Sequence, residues 1–330
     1  MVAGPQECGC CAFCYKECNY DTLRVCDGCK KRRYCSIQCQ RTDWSDAPSA
    51  RGQRHKIMCG LECGEEGHDW EVRYINKTKG FGLVALRAFS RGQRILAERA
   101  IDRKVVLRSL TPAERVAIED LMPEGGSMMD KLNTNALCTE EGTGAICVRL
   151  VRANHACVPN ACHYDEYKGI KLLVARTLIQ AGEEICISYI LWYNMQSECD
   201  ANVLRERLSK RHIHCSPSCQ CRDPVLAAKL VEVQELYKEL KPKATFVCGG
   251  KPVPRCKLDR LCCLVEELEL SHVNVSAVCY AAHAEYLCRG DTLNAAKFVQ
   301  KSLDMNVKVY GPNSESAEYD RNLLSETLAM

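Results

Sequence analysis

The chain has 330 residues, 46% hydrophobic and 26% charged, which is enough apolar material for two or three domains with sizeable cores. Its 45 basic and 42 acidic residues leave a net charge of +3, which argues against non-specific duplex binding as the main activity. No segment reaches the roughly 18 apolar residues that cross a bilayer, and the amino terminus MVAGPQECGCC lacks the apolar stretch of a secretory leader. The 26 cysteines therefore read as reduced, and the protein as soluble, in nucleus and cytoplasm.

Potential metal ligands come first along the chain, in pairs: Cys11 and Cys14, Cys26 and Cys29, Cys35 and Cys39, then His55 and Cys59. Tetrahedral zinc takes four thiolate or imidazole ligands, and a Cys-x-x-Cys step holds two thiolates at one metal through a tight turn. Two interleaved zinc sites are expected, in a segment too small to bury a core of its own. Cys8, Cys10 and Cys18 offer other registers for the first pair. A disulfide knot is the rival reading, against which the closing His-x3-Cys step stands. Lys30, Lys31, Arg32 and Arg33 beside the second pair read as a solvated basic face.

A polar linker, residues 60–69, leads into short apolar runs at Leu83–Leu86 and Ile95–Ala97 separated by the turn Ser90-Arg91-Gly92-Gln93, a pattern of paired strands. Thr111-Pro112 opens a helix, with Thr111 as cap and Pro112 in the first turn. Strands are expected again at Ala145–Val151, Ile170–Val174 and Glu184–Tyr189. Beyond Pro224 the apolar residues follow a 3.6 period, with helix starts at Asn274 and Asp291 and stops at Gly290 and Gly311. The run Ala295, Val299, Ser302, Leu303 is similar to half of a tetratricopeptide unit. Cys262, Cys263, Cys279 and Cys288 read as small core residues of these helices.

Lys79-Gly80-Phe81-Gly82-Leu83-Val84-Ala85 fits G-x-G-x-x-A, yet a dinucleotide loop must follow a strand and open a helix. Here polar residues precede it and β-formers follow, leaving a tight loop whose backbone can approach a ligand. Two further segments, Asn154-His155-Ala156-Cys157-Val158-Pro159-Asn160 and Gly182-Glu183-Glu184-Ile185-Cys186-Ile187-Ser188-Tyr189, resemble the paired signatures of SET-domain lysine methyltransferases. Thr134-Asn135-Ala136-Leu137 and Arg176-Thr177-Leu178 add matches, and the cysteine pairs with Trp44 between them resemble the MYND zinc finger. Together they resemble the SET/MYND (SMYD-like) family.

The resemblance implies an α+β protein: a zinc-bound MYND finger at residues 1–63, a β-rich SET domain with a helical insert, a threaded crossing and a post-SET zinc site at 70–224, and a helical tetratricopeptide-like domain at 225–330. In the finger it implies that the first and third pairs share one zinc and the second and fourth the other. Cys157, Cys219 and Cys221 would hold a third zinc, completed by Cys215 or by His214, with Cys215 preferred because thiolate-only sites dominate structural zinc of this kind. Asn154, His155, Asn135, Tyr189 and the Gly80-Phe81-Gly82 loop would hold S-adenosylmethionine, Asn160 would fix the crossing, and Tyr189 would orient the substrate amine.

The implied reaction is methyl transfer to a histone or non-histone lysine, by a monomer that regulates chromatin and whose finger recruits proline-rich partners. Departures from the family pattern stand at Ala156, Leu137, Pro224 and His212-Ile213-His214, the last in place of a channel aromatic pair. They keep a second reading in view, a noncatalytic scaffold. A third, sequence-specific DNA binding, rests on the basic finger alone and lacks a recognition helix.

Overall fold

A computed structural model describes the chain apart from residues 1–7, 12, 15, 31, 45–54, 56–58, 60–62, 100, 103–111, 122–124, 139–143, 167–169, 190–200, 211–212, 241–253 and 313. Thr111, the expected helix cap, Lys31 of the basic cluster and His212 lie outside the described residues. The chain divides into two compact units, one of Met1–Cys63, Ala97–Val151 and Asp165–Leu172, the other of Gly64–Leu96, Arg152–Tyr164 and Leu173–Met330. Among the described residues no helix is long and apolar enough to cross a membrane.

In the first unit, the hairpin of Cys8–Cys10 with Glu17–Asn19 and that of Arg24–Val25 with Arg33–Tyr34 precede the helix Ile37–Trp44. The core beneath them is the buried set Cys11, Cys26 and Tyr34, which is far too little apolar surface to fold a chain alone. Tyr34 donates its hydroxyl to Asp43 at 2.8 Å, and Arg32 pairs with the same fully buried carboxylate at 2.9 Å. Arg33 sits 4.0 Å over the Tyr20 ring and Lys30 pairs with Asp27, so the described members of the basic cluster, Lys30, Arg32 and Arg33, each have a partner within the finger.

The same unit holds a three-stranded sheet in the order Ile101–Asp102, Gly144–Ile146, Leu137–Cys138, and two helices, Pro112–Glu119 and Met128–Asn135. Ser127 and Asp130 form a capping box at the start of the second helix. Ile118, Leu121, Leu132 and Ile146 pack together, and the buried Lys131 ammonium donates to Glu119 O at 2.5 Å and Leu121 O at 2.8 Å, satisfying carbonyls where the first helix ends. The strand expected over Ala145–Val151 stops at Ile146, and a 3-10 turn, Leu150–Arg152, follows. Ile146, Cys147, Leu150 and Ala153 are all fully buried, at spacings of a turn, not at the alternation of a strand.

The second unit is built on a four-stranded sheet in the order Asn154–His155, Glu184–Ile187, Gly80–Ala85, Trp70–Asn76. The first pair is parallel and the other two antiparallel. A further sheet within this unit has the order 161–164, 173–175, 94–96. Among the described residues the unit also holds the helix Ala201–Ser209 and, after it, a tail of five helices: Pro224–Leu240, Arg255–Glu267, His272–Cys288, Thr292–Tyr310 and Glu315–Leu328. Asp291 caps the fourth, and Gly290 at φ 70° and Gly311 at φ 98° take the left-handed stops that only glycine adopts without strain. The third helix begins at His272 behind Ser271, earlier than the expected Asn274.

The helical tail is joined to the sheets by arginines. Arg94 donates to Val309 O at 3.0 Å, and Arg91 donates to Leu270 O at 3.0 Å while pairing with Glu266. Arg176, 6% exposed, donates Nη1 to Leu268 O and Glu269 O, at 3.0 and 2.6 Å, and Nε to Pro159 O at 2.5 Å. One buried guanidinium thus caps the helix Arg255–Glu267 and grips the signature segment that begins at Asn154.

Candidate active site and metal clusters

The cysteines and His55 singled out from the sequence fall into three groups, each with its ligand atoms within 4.8 Å of one another: Cys11, Cys14, Cys35 and Cys39; Cys26, Cys29, His55 and Cys59; and Cys157, Cys215, Cys219 and Cys221. Pairs one and three converge, as do pairs two and four, and Cys215 takes the fourth corner of the third group while His214 is exposed. Cys14 and Cys39 each lie 3.5 Å from Cys35 by their sulfurs, Cys26 lies 3.7 Å from Cys59, Cys157 lies 3.3 Å from Cys215, and His55 Nε2 lies 3.5 Å from Cys29 Sγ. A tetrahedron with Zn–S bonds of about 2.3 Å separates its sulfurs by about 3.8 Å, so the spacing suits that ion.

The electrostatics agree with the spacing. Burial and neighbouring thiols push Cys35 and Cys59 up to about 12, because anions this close repel unless a cation sits among them. Burial also raises Cys11, but the backbone N–H groups of Cys14, Cys35 and Phe13 outweigh it and bring the thiol down to about 7. Burial, with the charge of Arg32, holds His55 near 4 and hence neutral, the form that ligates. Its Nδ1 is buried with no hydrogen-bond partner among the described residues. Metal analysis of the purified chain should return three zinc ions. Two would remove the third group as a site, and none would remove all of them.

The second unit brings the two signature segments together. Asn154 pairs with Cys186 and His155 with Ile187 in parallel register, and Asn160 locks the pair, donating Nδ2 to Glu184 O at 2.9 Å and accepting from Cys186 N at 2.8 Å. Past the strand end, Tyr189 donates its backbone N–H to His155 Nδ1 at 3.1 Å, and its hydroxyl donates to Ala153 O at 3.0 Å. The two rings lie 5.4 Å apart, centre to centre. Burial first, and the charge of Lys79 second, hold His155 near 4.

The glycine loop reaches the same place. Asn154 donates Nδ2 to Phe81 O at 3.2 Å and to Glu184 Oε1 at 2.8 Å, while Lys79 donates to Glu184 Oε2 at 2.5 Å. Gly80 has φ 67°, and a side chain there would meet open space. At Gly82, by contrast, a Cβ would stand 2.8 Å from Asn154 Nδ2 and Ile75 Cγ1 and 3.0 Å from Glu184 Oε1. Alanine at Gly82 must therefore push Asn154 aside. The resemblance implies that this loop holds S-adenosylmethionine; on that expectation Gly82→Ala weakens its binding about 10-fold or more in a calorimetric titration, and unchanged affinity overturns the expectation.

Asn135 ends the helix Met128–Asn135 of the first unit, its amide donating to Lys131 O at 2.8 Å, and Leu137 is half-buried on the next strand. Sequence reasoning missed Glu184 and Lys79 as site residues. Glu184 stands inside the signature itself, but its partners are 105 and 30 residues away, which no local pattern reveals.

The SET domain family profile matches residues 80–190. Over 244 residues the chain is 24% identical to N-lysine methyltransferase SMYD2-B of Xenopus laevis, an alignment that covers 64% of this chain and 50% of that protein. Over 338 residues it is 24% identical to N-lysine methyltransferase SMYD2 of Gallus gallus, covering 87% of this chain and 72% of that protein. The chain thus spans about half the length of the first relative and somewhat more of the second. The profile covers the glycine loop and both signature segments, whose side chains meet in one sheet, and both relatives are lysine methyltransferases: over residues 80–190 the chain matches the SET domain, and it is similar to SET/MYND-like lysine methyltransferases.

Proposed function

We propose that this protein is an S-adenosylmethionine-dependent protein-lysine N-methyltransferase acting on a histone or non-histone lysine. The observation that carries the reading is the disposition of Tyr189. Because its hydroxyl donates its only hydrogen to Ala153 O, the phenolic oxygen presents lone pairs alone and accepts an N–H from an approaching amine. An amine held by one N–H keeps its own lone pair free for attack. Bound S-adenosylmethionine would supply an electrophilic methyl group on a sulfonium.

Asn154, His155, Tyr189 and the Gly80-Phe81-Gly82 loop are the groups of the second unit that would hold the cofactor. Lysine is a nucleophile only as the free base, and its ordinary pKa is about 10.4, so a site that buries it beside a cation favours the reactive form. Alignment is then the protein's main contribution.

The deciding experiment incubates the purified chain and methyl-labelled cofactor with histones, and separately with whole-cell lysate. Labelled lysine supports the reading. A chain that binds cofactor yet labels nothing is a scaffold.

The interleaved clusters support a MYND-type finger that recruits proline-rich partners, for which the half-exposed ring of Trp44 offers an apolar surface. A proline-rich peptide should perturb the fluorescence of Trp44. A monomer working in nucleus and cytoplasm completes the proposal.

A further inference from the structure

We infer that His155 is a positioning residue that links the third cysteine cluster to Tyr189 through its two ring nitrogens. For Tyr189 this rests on the function proposed above. For the cluster it rests on geometry.

The Tyr189 backbone N–H points at Nδ1, 3.1 Å away. An N–H donates only to a nitrogen that carries a lone pair, so Nδ1 is unprotonated and the ring hydrogen sits on Nε2. Nε2 lies 3.3 Å from Cys157 Sγ, within the range of an N–H···S bond, and the sulfur of a cluster thiolate is the acceptor there. The imidazole therefore receives from the catalytic strand end and gives to the metal cluster. Both ends are firm. His155 is pinned in parallel register against Ile187, with Ala156 N donating to Ile187 O at 2.9 Å, and Cys157 packs with Leu204, Leu208 and Cys221 in the main core.

The link has a mechanical consequence. Tyr189 lies two residues beyond the end of the strand Glu184–Ile187, and its backbone N–H is received there by a side chain, His155 Nδ1. The ring can serve there only while Nε2 is anchored, and the anchor is Cys157. A partner that fixes the far side of a ligand is the usual outer-shell arrangement of metal sites, here with histidine as donor and cysteine as ligand.

Two substitutions separate the two bonds. His155→Asn keeps an acceptor near the Nδ1 position but is too short to reach the sulfur, whereas His155→Gln places an amide donor near the Nε2 position and loses the acceptor. In the zinc-loaded full chain, zinc release to a coloured chelator should show one equivalent of three leaving about 10- to 100-fold faster in the Asn variant, and at the wild-type rate in the Gln variant. The two slow equivalents report that the rest of the chain is folded.

Amide hydrogen exchange at Tyr189 should rise about 10-fold in the Gln variant. Cys219→Ser, which removes a different ligand of the same cluster, should raise exchange at Tyr189 in the His155 chain and change it by less than about twofold in the Asn background, as coupled sites do. Equal effects of Cys219→Ser in both backgrounds, or fast zinc release from the Gln variant, would overturn the link. Neither readout needs methyl transfer, so a chain that never methylates sinks the proposed activity and leaves this measurement to stand by itself.

Discussion

Phenylalanine at Tyr189 should lower methyl transfer by about 10²-fold or more while cofactor affinity stays within about threefold. The substitution removes one hydroxyl and retains the ring that lies 5.4 Å from His155. Its backbone N–H still meets His155 Nδ1, so the strand end keeps its place. What disappears is the acceptor that would hold the amine, together with the bond to Ala153 O that turns the oxygen's lone pairs outward. Single-turnover transfer from labelled cofactor and a calorimetric titration of cofactor binding measure the two effects separately. Full activity in the Phe variant would remove the Tyr189 hydroxyl from the mechanism, and a parallel loss of cofactor affinity would mean that the hydroxyl, and not the ring and backbone alone, serves cofactor binding.

The second large effect is expected at Arg176. Methionine there retains much of the stem's volume but leaves Pro159 O, Leu268 O and Glu269 O without their donor, in a place where the side chain is 6% exposed. Three charge-assisted bonds offset by the desolvation of one guanidinium amount to about 3 kcal/mol of stability. Urea unfolding should show a lower midpoint, and limited proteolysis should cut first near the helix Arg255–Glu267. A change under about 0.5 kcal/mol would mean that water replaces the guanidinium at those carbonyls.

The grouping of the cysteines was the most legible part of the chain because a shared ion would impose local spacing: two thiolates can meet at one point only if the chain between them turns tightly, and Cys26-x2-Cys29 says so in four letters. The glycine stops at 290 and 311 were legible for a similar reason, since each answers a backbone need at one position. Contacts set by the tertiary fold were not. Glu184, Lys79 and Arg176 stand inside segments that the sequence singles out, but the partners they meet are visible only once the fold brings them together.

Helical cysteines show the limit of periodicity. Cys279 is buried and Cys262 partly so, but Cys263 and Cys288 are exposed, because neighbours such as 262 and 263 stand about 100° apart on a helix and cannot share one face. The early start at His272 was hidden by Ser271, whose side chain makes no capping bond, so the usual serine signal is absent from the geometry too.

The way the tail is held has a consequence for how its sequence can vary. Arg91, Arg94 and Arg176 all reach main-chain oxygens, of Leu270, Val309, Leu268 and Glu269, and a main-chain oxygen is supplied by any residue at all. The arginines have no substitute with the same reach, charge and number of donors. Saturation mutagenesis scored by folded yield should then be lopsided across this junction: intolerant to any change at the three arginines on the sheets, tolerant of other apolar residues at the buried Leu268, Leu270 and Val309, and most permissive at the exposed outward faces of the tail helices. A lineage could rewrite the tail's outward surface, and with it the proteins it meets, without disturbing how the tail is attached.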